Sequence, residues 1–161
     1  IDRQWRVQRM NHTLQFMSEW LLDGSVPEGL NLLHATYDPD LFRPYIVNWE
    51  AIASAFLRRV RREVLTDGDD RIRQLYDELL AYPGVDPRWA TLPSPSQDVL
   101  VPIELVKQGI RLRLFTTITT LGTATDITAQ ELRLEHYFPA DAATDALVRA
   151  MVPTPTSGAP C

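Results

Sequence analysis

Cysteine is almost missing from this chain: its 161 residues include one, Cys161, at the last position. No disulfide can form within the chain and no cysteine cluster can hold a metal, so the fold rests on neither. Long apolar runs are missing too. Nothing approaches the ~20 apolar residues of a membrane span, and no secretory leader is visible, so a cytoplasmic location is expected. Histidine is sparse. His12, His34 and His136 stand far apart, without metal-ligand spacing, and neither a metal site nor a cofactor is expected. There is no G-x-S-x-G nucleophile elbow, no G-x-G-x-x-G or Walker loop and no internal repeat. The acidic runs Asp38-Pro39-Asp40 and Asp67-Gly68-Asp69-Asp70 read as turn and helix-cap chemistry. No residue stands out as catalytic, and an enzyme is disfavoured. Positive charge is short: 16 Lys and Arg face 21 Asp and Glu, a net −5, which argues against a basic DNA-binding face on this chain. The first residue is Ile1 rather than Met, so a preceding domain is expected.

What is present is an ordinary globular composition, 45% apolar and 23% charged, long enough for one domain with a real core. Residues 1–152 are expected to form that domain. The tail 153–161, PTPTSGAPC, lacks core-forming residues and is expected to be disordered. Trp5, Val7 and Arg9 alternate with Arg6, Gln8 and Met10, a period of two that predicts a short strand. Asn11 stands as an N-cap before a helix over 12–22, with apolar residues at 14, 16, 17, 20 and 21. Asp23-Gly24-Ser25 ends it. A short helix is expected near 30–35. Asn48 is expected to cap a long helix, with Trp49, Ile52, Ala53, Phe56 and Val60 on its buried stripe. Arg58, Arg59, Arg61 and Arg62 fall largely off that stripe and read as a solvated face near a helix C-terminus. A further helix spans 70–81 and closes at Pro83-Gly84. A surface connection rich in proline follows over 85–97.

The period then changes to two. Val99, Val101, Ile103 and Leu105 share a face. Ile110, Leu112, Leu114, Thr116 and Ile118 share another, and so do Leu132, Leu134 and His136. Three sequential antiparallel strands are expected, then a helix capped by Asp141 over 142–151. Helices over one face of an antiparallel sheet make an α+β domain, and a small ligand would sit between the two layers.

Several stretches carry a resemblance. Trp5-Arg6-Val7 followed by Asn11 looks like the opening of a PAS domain. Asn31-Leu32-Leu33, Asp38-Pro39, Arg43, Asn48-Trp49-Glu50, Leu57-Arg58 and Tyr82-Pro83-Gly84 are similar to the ligand-binding region of MmyB-like transcription regulators. Gly122-Thr123, Asp126-Ile127-Thr128, Glu131-Leu132-Arg133 and Phe138-Pro139-Ala140-Asp141 fit a subgroup of that family. The resemblance covers nearly all of residues 5–151. It implies a PAS-like antiparallel sheet with helices packed over one face. It also implies a sensor for a fatty-acid-like ligand, and a helix-turn-helix domain upstream through which alone DNA would be bound. A PAS sheet has five strands, so either the first lies upstream of Ile1 or the sheet is smaller.

The expected ligand cavity lies between the helix at 49–60 and the sheet, lined by Trp49, Ile52, Phe56, Leu112, Leu114 and Leu134. His34, Arg43 and His136 are the candidate donors to a ligand carboxylate, and of these Arg43 is always charged. Two non-catalytic readings follow: a sensor of a small apolar or fatty-acid-like molecule, and a PAS-like interaction module forming a homodimer without a ligand. A small enzyme of unrecognised type is a third, disfavoured by the lack of a reactive constellation.

Overall fold

The computed structural model describes residues 1–91, 101–120 and 132–151. The tail 153–161, the connection at 122–126 and most of the proline-rich stretch after Thr91 lie outside them. Within them are five α-helices and a three-stranded antiparallel sheet, an α+β architecture.

The chain does not open with a strand. Asp2 Oδ1 accepts from the backbone N–H groups of Gln4 and Arg6 at 2.8 and 2.9 Å. This local bonding competes with strand pairing and holds Trp5 at φ 65°. The left-handed residue breaks the period of two and turns the indole fully into the interior. Of the expected strand only an isolated bridge between Arg6 and Asn31 remains.

Helix α1 spans His12–Leu22, and Asn11 caps it by accepting from Leu14 N–H at 2.8 Å. Helix α2 spans Leu32–Tyr37. Its cap, Asn31, accepts from Leu33 and His34 and donates to the Gln4 carbonyl, which fastens the N-terminal segment to the helix. A 3-10 turn at Arg43–Tyr45 leads to α3, Trp49–Asp67. Asn48 precedes α3 but does not cap it. Its amide accepts from Glu104 N–H at 3.0 Å and donates to the Pro102 carbonyl at 2.7 Å, so it ties the helix start to the first strand. Helix α4 spans Asp70–Leu80, capped by Asp69. A second 3-10 turn follows at Pro87–Ala90.

Strands β1 (Ile103–Lys107), β2 (Ile110–Thr120) and β3 (Arg133–Pro139) pair in that order. Gln108 and Gly109, both at positive φ, make the two-residue turn between β1 and β2. Helix α5, Ala142–Met151, closes the described chain, and Asp141 caps it by accepting from Thr144 N–H at 2.7 Å.

Two apolar cores result. One joins Trp5, Leu33, Tyr37, Leu57, Val60, Ile72 and Leu79 across α2, α3 and α4. The other joins Met17, Leu21, Phe42, Ile46, Ile52, Leu105, Leu112 and Leu114 beneath the sheet. Ile52 therefore meets the strands as its helical phase predicts, whereas Trp49 and Phe56 are half-buried between both cores. Leu57, off the expected stripe, is fully buried.

The arginines of α3 depart from the solvated face expected of them. Arg58 and Arg61 donate to the carbonyls of Trp89 and Ala90. Arg59 pairs with Glu63 at 3.3 Å and lies over the Trp5 ring. Arg62 alone of the four is exposed.

Strand β3 presents the face opposite to the one its apolar residues predict. Its register sets Leu134 beside Thr119 and His136 beside Thr117, on the outer side of β2. Arg133, Glu135 and Tyr137 point inward. A one-residue slip would exchange the two faces. The inward setting is held by Arg133, whose guanidinium reaches both Glu63 oxygens at 2.9 and 3.1 Å.

Candidate functional site

A cavity of about 150 Å³ lies between α1 and the inner sheet face. Its roof is the stripe Leu14, Met17, Ser18 and Leu21, at the i, i+3, i+4, i+7 spacing that puts four side chains on one side of a helix. Its floor is Ile103, Leu105, Leu114 and the inward residues of β3. Val7, Arg9 and Met10 form one wall; Leu32, Thr36, Phe42 and Ile46 form another. The lining is mostly aliphatic and thioether. Met10 and Met17 make it adaptable, since an unbranched thioether fills irregular space.

The roof is held by a buried lysine. Lys107, only 6% exposed, ends β1. Its ammonium donates to the carbonyls of Trp20 and Leu21 at 2.7 and 2.8 Å and pairs with Asp23 at 2.7 Å. Those carbonyls belong to the last turn of α1, where acceptors lack partners within the helix and cations are favoured. The Lys107 ammonium also sits 4.7 Å from the Tyr45 ring centroid. One side chain thus joins α1 to the sheet at the cavity's edge.

Two charged side chains of the lining, Arg9 and Glu135, stand apart from its other polar residues in having no hydrogen-bond or ion-pair partner among the described residues. Arg9 is exposed at the rim and makes no hydrogen bond or ion pair among the described residues. Glu135 faces inward, its two oxygens shielded from solvent and without a hydrogen-bond partner among the described residues. Desolvation pushes the Glu135 carboxyl up to about 7, while Tyr137, Arg59 and the amino group of Ile1 act in the opposite direction. Burial likewise raises the neighbouring Tyr137 phenol, with the Glu135 charge adding to the effect. No acidic or histidine cluster suited to a metal occurs among the described residues.

Of the nine residues singled out from the sequence, the structure brings Leu114 into this cavity, while Leu134 only borders it, its side chain being half exposed on the outer sheet face. Ile52 and Leu112 lie in the core beneath the sheet. Phe56 packs edge-on against Trp5, their centroids 5.5 Å apart. Trp49 donates to the Thr36 carbonyl at 3.0 Å and carries Arg43 on its face at 3.6 Å. Arg43 also donates to the Pro83 carbonyl at 2.6 Å. Gly84 leaves it room, because a Cβ there would stand 3.0 Å from the guanidinium. His34 is held between Tyr82 and Glu78 at 3.0 and 3.1 Å. It borders a separate, polar depression of about 560 Å³, where an alkyl chain would bury little apolar surface. His136 is exposed on the outer sheet face, stacked beside Phe138.

The cavity is thus roofed by α1 rather than α3. The α1 stripe was within reach of the sequence, since Leu14, Met17 and Leu21 belong to the broad apolar face of residues 12–22, with only the polar Ser18 outside that pattern. Nothing in the sequence marked Glu135 as inward, because the apolar pattern of β3 assigns it to the outer face.

A family model, the MmyB-like transcription regulator ligand binding domain, matches residues 1–151. Comparison with curated proteins and with solved structures gives no match.

Proposed function

Since the chain belongs to the MmyB-like transcription regulator ligand binding domain family, we propose that it is a non-catalytic sensor whose ligand is a small apolar or fatty-acid-like molecule held between α1 and the sheet. The cavity lined by Leu14, Met17, Leu21, Leu105 and Leu114 carries this reading. An alkyl chain gains ~0.8 kcal/mol per CH₂ buried in such a lining. Burying a carboxylate unpaired is costly, and Arg9 at the rim is the cation placed to receive it. At about 150 Å³ the cavity falls below the ~300–1,000 Å³ of common small-molecule sites. A long chain would therefore widen it or emerge beside Arg9. Signalling to a helix-turn-helix DNA-binding domain requires that the ligand bind two arrangements of the sensor unequally. Helix α1, resting on the ligand and pinned by Lys107, is the element best placed to report occupancy.

The test is titration with saturated fatty acids of increasing length. Affinity should rise roughly fourfold per CH₂ until the cavity is filled, then level off. Leu114→Trp, which fills the cavity, should abolish the rise while the far-ultraviolet circular dichroism stays unchanged. A flat dependence on chain length overturns the lipid-sensor reading.

One observation favours a second reading, a dimerisation module without a ligand. The outer sheet face leaves Leu134 52% and Phe138 41% exposed, beside a stacked Phe115–Phe138 pair at 5.2 Å. A second copy of this chain is the partner that reading implies. A sedimentation coefficient that rises with concentration and drops for Phe138→Lys would support it.

A further inference from the structure

An apolar cavity that holds a buried carboxylate with no donor is incomplete. Both Glu135 oxygens are hidden from solvent and unpartnered among the described residues, and buried acceptors are almost always satisfied in folded proteins. The groups around it are committed elsewhere. Arg133 is bonded to Glu63. Arg59 is shared between Glu63 and the face of Trp5. The amino group of Ile1 donates to the Arg133 carbonyl. Tyr137 stands on the same inward side of β3, two residues on, close enough to lower the Glu135 carboxyl, yet no donor among the described residues completes a well-formed hydrogen bond to either oxygen. Arg9 is at the rim.

We propose that Glu135, flanked by Tyr137, is the polar subsite of this cavity and receives a hydrogen-bond donor, a hydroxyl or an ammonium, carried on the apolar body of the ligand. The proposal rests on the cavity being the ligand site and adds the chemistry of the ligand's inner end. A donor arriving there satisfies an acceptor that the fold leaves open, and a hydrogen bond to a charged group in a dry site is among the strong ones. A second carboxylate at the same place would meet like charge. A plain fatty acid can enter only tail first, with its head near Arg9 and its methyl end against Glu135. An ammonium needs Glu135 ionised, so it binds better as pH rises through about 7. A fatty-acid tail prefers Glu135 protonated, so its binding runs the other way.

Calorimetric titration of the wild-type chain, Glu135→Gln and Glu135→Leu with octylamine, octanol and octanoate at about pH 6 and about pH 8 tests this. In the wild type, octylamine should bind about tenfold tighter at the higher pH, and octanol about tenfold tighter than octanoate there, as the loss of one such hydrogen bond implies. Both differences should vanish in Glu135→Leu, and the pH dependence should vanish in Glu135→Gln. A thermal melt checks that each variant is folded, and Glu135→Gln alone decides if the leucine variant is not. Equal binding of octanol and octanoate by the wild type, or an octylamine pH dependence that survives in Glu135→Gln, overturns the subsite and leaves the cavity reading standing. Failure of all three probes to bind overturns both.

Discussion

Glu135 carries an energetic signature that can be read without any ligand. Its carboxyl titrates near 7 in the folded protein against an ordinary 4.5, so the folded state holds this proton more tightly than the unfolded chain. For a raised acid, the stability contribution is complete below 4.5 and is lost as pH climbs towards 7. The difference corresponds to about 3 kcal/mol. Glu135→Gln removes the titration. Urea denaturation should find the variant about 2 kcal/mol more stable than wild type near pH 8 and little different near pH 5. Equal differences at the two pH values would show that Glu135 is solvated. Trp5 stores strain of another kind: a non-glycine residue at φ 65° with a buried indole N–H unpartnered among the described residues. It is held there by Phe56 and by the guanidinium groups of Arg59 and Arg133.

At the scale of elements, the joint between α1 and β1 decides the shape of the site. Helix α1 is held to the sheet by Lys107, whose three donors are used by Trp20, Leu21 and Asp23. Lys107→Met keeps much of the apolar stem but leaves two helix-end carbonyls without their donor. A loss of roughly 2–3 kcal/mol is expected, with faster amide exchange concentrated in the last turn of α1, measured by hydrogen exchange. A loss spread evenly over the domain would mean that Lys107 supports the core and not this joint. The joint at α3 works differently. Asn48 bonds Pro102 and Glu104 rather than its own helix, so a residue type suited to capping joins helix to strand instead.

For the whole molecule, the net charge of −5 and the fate of the α3 arginines point the same way. Three of the four make contacts within the fold, which leaves no contiguous basic face on that helix. The isolated chain should fail to retard duplex DNA even at low salt, and Arg59→Gln with Arg62→Gln should change nothing. Strong, salt-sensitive retardation by the unmutated chain would contradict this. No described helix is long and apolar enough to cross a membrane.

The sequence by itself determined the helices, the caps at Asn11 and Asp141, the meander of three strands and the inward face of β2. Each is set by interactions within a few residues: a side chain reaching the next turn, or an apolar period matched to a local geometry. The tertiary structure alone decided what Trp5, Asn48, Lys107 and Glu135 do. Asn48 and Lys107 find partners more than fifty residues away. Trp5 and Glu135 take their direction from a strained backbone and from the register of β3 on β2. The apolar pattern of β3 favours Leu134 and His136 inside, but the ion pair of Arg133 with Glu63 and the pairing with β2 set the opposite face. Long-range partners outweigh a weak local pattern, and that outcome places a carboxylate inside the cavity.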